Sequence, residues 1–196
     1  MGQNLNIFKI RSNNLKPEKG RILIAEPFLT GSYFNRSIVL LVAHSDKGTV
    51  GFILNKKVDF PIQDIVTDFP EFNANVHIGG PVATDSVYFI HRLGGQVRGS
   101  IQILPNLYWG GDFEDLKKLI SLGIAKPHEL RFFLGYSGWD SGQLEEEIKE
   151  NSWLVNDVNE ELVMSNLSQS SWIQFVKKVG NQYSVWENYP ENPSLN

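Results

Sequence analysis

Two apolar segments joined by a short turn constrain the fold of this 196-residue chain more than any other feature. Residues 36–44, "RSIVLLVAH", are rich in β-branched side chains and show no alternation with polar residues, which is typical of a strand buried on both faces. The turn "SDKG" then leads into a second apolar strand, residues 50–54. The sequence therefore predicts a buried β-hairpin.

Further strands and helices follow in no regular alternation. Strands are predicted at residues 22–25, 76–78, 87–91, 101–104 and 130–134, and helices at residues 62–69, after Asp112, after Asp140 and around residues 172–179. Because these elements do not repeat as strand–helix–strand units, we predict an α+β fold. It would have a mixed, partly barrel-like β-sheet core flanked by about four helices.

Charge and hydropathy predict three parts. Residues 1–19 form a basic N-terminal arm, residues 20–180 a single α+β domain and residues 181–196 a C-terminal tail. We expect the arm to dock on the acidic helix that follows Asp140, with contact to a partner as the alternative. The net charge of −4 does not support direct nucleic-acid binding.

Composition excludes several classes of protein. The chain has no cysteine, which excludes a disulfide framework, a thiolate zinc site, an iron–sulfur cluster and a cysteine nucleophile. The longest apolar run, Ile38 to Ala43, is too short to cross a bilayer, and the first 20 residues contain no apolar signal segment. We therefore expect a cytoplasmic protein without a membrane contact.

Residues 130–151, "LRFFLGYSGWDSGQLEEEIKEN", look more like a functional site than any other stretch. A nucleophile elbow needs small residues two positions before and two positions after its serine. Trp139 lies two positions after Ser137 and two positions before Ser141, and the last histidine, His128, precedes both serines. We therefore predict no catalytic serine, while spacing alone leaves open another chain order with His44, His77, His91 or His128 as the base. A small-molecule enzyme of hydrolase or transferase type that uses the loop around Ser137 and Asp140 is the alternative.

The start of a helix explains most of this stretch. The glycines on either side of Ser137 predict a tight turn, and Asp140 predicts a side-chain cap that Gln143 completes reciprocally. Glu145 has the spacing for an ion pair with Lys149. Phosphate binding at this helix start is disfavoured, because the capping aspartate would occupy the free N–H groups and the glutamates would repel an anion. The tryptophan is expected to cover the core.

Other motifs predict neither a cofactor nor a metal site. Gly94 and Gly99 have the spacing of a phosphate-binding loop, but Ser100 stands where a lysine is needed. The four histidines show no close pairing, so a metal site would need distant ligands to converge.

Taken together, six blocks resemble a known family. They are "GRILIAEPFL", "FNRSIVLLVAH", "GTVGFILNK", "GGPV", "LGYSGWDSGQLEEEI" and "NSWL", and they cover about residues 18–155 in order. By these blocks the chain resembles the AlgH-like bacterial family, also called YqgE. The resemblance implies a compact cytoplasmic protein with an α+β fold on a mixed sheet, and members of the family are labelled transcriptional regulators. Lys57 stands where many members have proline.

The resemblance assigns no catalytic role to any position. Its recurrent blocks fall on residues 34–37, 55–56 and 135–139 of this chain. We therefore favour a regulatory or binding protein over an enzyme, with an unknown protein or small molecule as partner and an open oligomeric state. The predicted ligand or partner surface consists of Arg36, Asn55, Gly79, Gly80, Ser137, Trp139 and Asp140. An enzyme would instead need Asp140, Asp112, His91 and Arg36 in one cleft.

Overall fold

The structure is a computed structural model that describes residue 13, residues 15–29 and residues 31–189. This part of the chain forms ten β-strands and four α-helices. The strands are β1 (Ile22–Ala25), β2 (Ile38–Ser45), β3 (Gly48–Ile53), β4 (Lys57–Val58), β5 (Asn75–Ile78), β6 (Val82–His91), β7 (Ile101–Leu104), β8 (Leu107–Trp109), β9 (Leu130–Trp139) and β10 (Trp153–Asn156). The helices are α1 (Phe113–Ser121), α2 (Gln143–Lys149), α3 (Glu160–Met164) and α4 (Ser171–Val179).

All ten strands join one sheet. Eight of them follow the order β10-β1-β2-β3-β9-β6-β8-β7, while β5 pairs with β9 and β4 pairs with β5. The β5–β9 pair is parallel and the other pairs are antiparallel, so the sheet is mixed. The predicted α+β class is confirmed. Within the described residues the sheet is not closed into a barrel, because β10 and β7 stand at its two ends.

β9 organises the sheet because it has two different neighbours on one side. Its first half pairs with β5 through Arg131 to Leu134, and its second half pairs with β3 through Ser137 to Trp139. β6 pairs along its other side. The ends of β3 and β5 therefore meet beside β9, and this junction positions much of the predicted surface.

Helices cover both faces of the sheet. On one face the side chains of β1, β2 and β3 pack with Trp172 and Phe175 of α4. On the opposite face β1 and β2 pack with Leu144 of α2. A separate apolar cluster joins β5, β6 and β9 to Leu116 and Ile120 of α1. The prediction that the β2 strand is buried on both faces is confirmed by Ile38 to Val42, which are fully buried.

Some predicted element bounds are wrong. Residues 62–69 were expected to be a helix, but only Ile62–Asp64 form a single 3₁₀ turn. Three consecutive β-branched residues, Ile65 to Thr67, disfavour helix propagation, and Pro70 restricts the residue before it. The expected tight turn beside Ser137 is also wrong, because β9 continues through Trp139.

The N-terminal and C-terminal parts of the described chain meet where β1 pairs with β10. Residues 1–12 of the predicted basic arm lie outside the described residues, whereas Arg21 pairs with Asp157 just after β10 at 2.8 Å. The predicted C-terminal tail begins as a 3₁₀ helix, Asn181–Asn188, in which Tyr183 and Trp186 are buried in the core.

Candidate functional site

Gly79 and Gly80 lie at the junction of β3, β5 and β9. The Gly79 N–H donates to the Leu134 carbonyl at 2.8 Å, and the Gly79 carbonyl accepts from the Ile53 N–H at 3.0 Å. A Cβ on Gly79 would overlap the Gly135 carbonyl oxygen, and a Cβ on Gly80 would overlap the backbone at Tyr136. Both glycines are therefore required for a close approach of two backbones.

Ser137 belongs to the same junction. Its side chain is fully buried, and its hydroxyl donates to the Gly79 carbonyl at 3.0 Å. The hydroxyl thus fastens β9 to the end of β5, and the partner it contacts is a carbonyl oxygen rather than an imidazole nitrogen. This geometry gives Ser137 a structural role and provides no base to activate it.

Arg36 and Asn55 form a second group. Arg36 lies just before β2 and Asn55 just after β3, and these two strand ends are neighbours in the antiparallel hairpin. The Asn55 side chain accepts from the Ile38 N–H and donates to the Arg36 carbonyl, both at 2.9 Å. The Arg36 guanidinium carbon lies 5.0 Å from the centroid of the Trp172 ring, within range of a cation–π contact, and this side chain donates to the Tyr189 carbonyl. Both side chains are buried. Arg36 holds α4 and the following segment against the sheet, and Asn55 holds the segment before β2 against the end of β3.

Trp139 closes the apolar cluster beneath α2. The Trp139 indole N–H donates to Oε2 of Glu147 at 2.9 Å, and the Trp153 indole N–H donates to the same oxygen at 2.7 Å. Gln143 donates to the other oxygen of Glu147 at 2.9 Å. The carboxylate therefore ties two indoles to α2, and Trp139 covers the core as the sequence predicts.

The predicted capping at Asp140 is only half right. The Gln143 side chain accepts from the Asp140 N–H at 2.9 Å, but Gly142 stands at the N-cap position and no side-chain oxygen caps α2. Lys149 pairs with Glu146 at 2.5 Å instead of the predicted Glu145. Asp140 is left with an exposed carboxylate beside Trp139.

A concave surface opens beside Trp139 and Asp140. We call it the Trp139 concavity; it has a volume of about 460 Å³, and its lining includes Lys47, Thr49, Val82, Tyr136, Trp139 and Asp140. Of the predicted surface residues, only Trp139 and Asp140 line it. The others form two buried groups, Arg36 with Asn55 and Gly79 with Gly80 and Ser137.

A row of three polar side chains that the sequence did not reveal, Thr49, His44 and Glu145, borders this concavity. His44 Nδ1 lies 2.7 Å from the Thr49 hydroxyl oxygen, and His44 Nε2 lies 3.5 Å from a carboxylate oxygen of Glu145. The signal was present in the hairpin, because the register of β2 and β3 pairs His44 with Thr49. The contact with Glu145 arises only when α2 packs against the hairpin.

Two buried histidines and a buried arginine lie elsewhere in the sheet. Burial, with the nearby charges of Arg131 and Lys57, lowers the pKa of His77 to about 3, and neither ring nitrogen of His77 has a hydrogen-bond partner in the described part of the chain. Burial lowers the pKa of His91 to about 4 despite its bond to the Gly110 carbonyl. Burial also lowers the pKa of Arg131 to about 10, and its guanidinium donates to the carbonyls of Leu54 and Ser165.

In the described residues, two of the groups that an enzyme would need, Asp112 and His91, are engaged in separate local contacts. The described residues contain no group of three or more His, Asp or Glu side chains able to hold a metal ion. Asp112 caps α1 and pairs with Arg98, while the N–H of Leu93 and the carbonyl of Gly110 engage both ring nitrogens of His91. Among the described helices, none has the length and apolar character that a membrane span requires.

Comparisons with known proteins agree on one family. A family model described as AlgH-like matches residues 22–184. A UPF0301 protein of Bacteroides thetaiotaomicron is 42% identical over 192 residues, which cover 97% of this chain and 97% of that protein. A UPF0301 protein of Parabacteroides distasonis is 44% identical over 193 residues, which cover 97% of this chain and 98% of the relative.

Solved structures share the fold. The solution structure of the AlgH protein from Pseudomonas aeruginosa gives a TM-score of 0.70 at 23% identity, over 90% of this chain and 98% of that one. A crystal structure of a protein from Corynebacterium diphtheriae gives a TM-score of 0.70 at 22% identity, over 92% of this chain and 95% of the other. At these identities the likeness describes the fold.

Proposed function

The chain belongs to the AlgH-like family, and we propose that it is a regulatory binding protein that contacts a small molecule or another protein through the Trp139 concavity. The observation that carries this proposal is the exposure of Asp140 at that concavity, since the other six predicted surface residues are buried. Tyr136, Lys47 and Val82 add aromatic, cationic and apolar contacts around the carboxylate. Such a mixture suits a binding surface.

We further propose that the protein acts in the cytoplasm and regulates through a partner rather than by reading DNA itself. The lack of cysteine supports a reducing compartment. The net charge of −4 opposes direct DNA binding, and α1 and α4 each offer only one adjacent lysine pair, Lys117–Lys118 and Lys177–Lys178. A salt-dependent anisotropy change with duplex DNA at physiological ionic strength would favour direct binding instead.

Site-specific photo-crosslinking tests the binding surface. A benzoylphenylalanine residue replaces exposed Asp140 in the full chain, expressed in its bacterial host, and a matched chain carries it at exposed Glu161 on α3. The proposal expects a discrete adduct from position 140 that disappears with Tyr136→Ala in the same chain. Native mass spectrometry of the purified protein detects a retained small molecule. Equal adducts from both positions, with no retained molecule, would contradict the proposal.

A second candidate function is acyl transfer. It is favoured by the arrangement at the same concavity, in which His44 lies between Thr49 and Glu145. With Nδ1 of His44 accepting from the Thr49 hydroxyl, Nε2–H points to Glu145, which is the tautomer that a general base needs. The threonine oxygen would attack an acyl carbonyl while His44 takes its proton and returns it to the leaving group. In this second proposal the nucleophile is Thr49, whereas the sequence suggested the loop around Ser137 and Asp140.

Hydrolysis of 4-nitrophenyl acetate tests this second candidate. Thr49→Val and His44→Gln are each expected to reduce the rate at least about a hundredfold, because each removes a part of the proton transfer. His128→Gln changes an exposed histidine and serves as the matched control. A rate that all three variants share with the unmodified chain would eliminate acyl transfer at this site.

A further inference from the structure

β6 has an open edge that borders a second cavity. β9 pairs along one side of β6, but on the other side β8 pairs with it only at Ile90 and His91. The last contact is the Gly110 N–H, which donates to the Phe89 carbonyl at 3.0 Å. Gly110 and Gly111, at φ 65° and 107°, then turn the chain away from β6. No strand of the described residues pairs with this side of β6 before Phe89.

A wide bulge displaces the first half of the same strand. Val82 pairs with Tyr136 and Val87 pairs with Leu134, so five steps along β6 oppose two steps along β9. Ala83 takes a left-handed φ of 47°, which is unusual for a residue with a side chain. The extra residues carry the Asp85 carboxylate out to the surface, where its only hydrogen bond in the described chain is a long one from the Ser86 hydroxyl, 3.4 Å.

The cavity beside this edge has apolar and aromatic walls. We call it the β6-edge cavity; it has a volume of about 520 Å³ and is lined by Val66, Asp85, Val87, Tyr88, Phe89 and Phe113, among others. The Phe89 and Phe113 rings meet edge to face at 5.9 Å, and Phe69 supports Phe113 from behind at 5.6 Å. The walls are therefore fixed by packing, while Val66, Val87, Tyr88 and Phe113 stay partly exposed.

The charge of the cavity has one sign. Asp85 is the only charged residue among the described residues that line it, and Asp64 and Asp68 flank the lining segment Ile65 to Thr67. None of these three carboxylates forms an ion pair with the described part of the chain. Bulges and charges often protect an exposed strand edge from pairing, but that protection does not need an apolar cavity beside it.

We propose that the β6-edge cavity binds a small organic cation with an apolar or aromatic body, and that Asp85 is the counter-ion. The volume lies in the range of small-molecule sites. The rings of Phe89 and Phe113 favour a cation over a neutral group of the same shape, and the open backbone edge at Val87 offers one further polar contact. This site is separate from the Trp139 concavity, which borders the other end of the bulge at Val82.

A series of three probes of one shape tests the proposal. Isothermal titration and amide chemical shifts of the full chain are recorded with phenethylammonium, 2-phenylethanol and 3-phenylpropionate. The cation is expected to saturate and to shift the amides of Val87 and Phe113. The alcohol should bind at least about tenfold more weakly, and the anion should not bind, because only the cation can pair with Asp85.

Two variants locate the binding site. Asp85→Asn keeps the shape of this exposed side chain and removes its charge. We expect it to lower the affinity for the cation at least about tenfold. Asp59→Asn changes another exposed carboxylate outside this cavity and should leave the affinity unchanged. Equal binding of the three probes, no binding of the cation, or an Asp85→Asn affinity equal to the unmodified chain would each overturn the proposal. The Asp140 crosslink depends on none of these outcomes.

Discussion

At the scale of single residues, His77 makes the stability of the fold depend on pH. Its pKa is about 3 in the folded chain and near 6.5 when the side chain is exposed, because burial disfavours the charged ring. The unfolded chain therefore takes up a proton below pH 6.5 that the folded chain takes up only near pH 3. Stability is full above pH 6.5 and falls as the pH drops through that interval.

We expect the free energy of unfolding to fall by about 1.4 kcal/mol per pH unit for each such histidine between roughly pH 6 and pH 4. His91, with a pKa of about 4, contributes in the same direction. Urea unfolding at pH 7, 6, 5 and 4 measures the slope. His77→Phe should reduce it, whereas His128→Gln, at an exposed position, should not. A His77→Phe slope equal to that of the unmodified chain would exclude this source of pH dependence.

The backbone around Gly79 leaves no room for a side chain at this position. Gly79→Ala places a Cβ against the Gly135 carbonyl oxygen. Neither backbone can move away without breaking the strand pairing between β5 and β9. We expect a loss of about 3 kcal/mol or more in the free energy of unfolding. Gly95→Ala adds a Cβ in open space, and its effect should stay within about 0.5 kcal/mol. Chemical denaturation of both variants compares them, and similar losses would refute the steric account.

At the scale of elements, the Glu147 carboxylate attaches α2 to two tryptophans of the sheet, in addition to the apolar packing of Leu144. Glu147→Ala leaves the indole N–H groups of Trp139 and Trp153 without their acceptor, and we expect a loss of about 2–4 kcal/mol. Tryptophan emission should shift to longer wavelength as water reaches the rings. Glu146→Ala removes only an exposed ion pair with Lys149 and should change stability by less than about 1 kcal/mol. Unchanged emission and stability in Glu147→Ala would contradict the attachment.

The same scale shows which elements a sequence can predict. The hairpin of β2 and β3 is local, since its turn residues and apolar runs lie within one stretch, and its prediction is confirmed. The second half of β9 could not be predicted from local residues, because Ser137 to Trp139 pair with β3. Ser137 lies opposite Gly51, which is 86 residues earlier in the chain. Glycine near a serine therefore suggested a turn where a distant strand required close approach.

The candidate site divides in the same way. The sequence identified Gly79, Gly80 and Ser137 as unusual, but it could not show that they contact one another inside the sheet. Two of the residues predicted for the surface, Trp139 and Asp140, line the Trp139 concavity. The β6-edge cavity was not predicted, because a bulge in β6 and the early end of β8 create it. Neither feature follows from local residue preferences.

At the scale of the whole molecule, the first and last elements of the described chain complete one sheet and one core. β1 pairs with β10 through Ile22 to Ala25, and the Trp172 indole N–H of α4 donates to the Ala25 carbonyl at 2.9 Å. Trp172 and Trp186 stack with ring centroids 6.2 Å apart. Because each end depends on contacts with the other, the chain should unfold cooperatively as one unit.

The segment after α4 is therefore expected to be part of that unit. A chain that ends at Gly180 loses Tyr183 and Trp186 from the core, and Trp186→Ala in the full chain should cost about 3–5 kcal/mol because a cavity remains against Trp172. Val185→Ala, at a side chain that is 40% exposed, should cost less than about 1 kcal/mol. Guanidinium unfolding, followed by circular dichroism and by tryptophan emission, measures all four chains. Coincident transitions that move together in the shortened chain and in Trp186→Ala would support a single cooperative core, whereas a shortened chain as stable as the full one would show that this segment only rests on a completed fold.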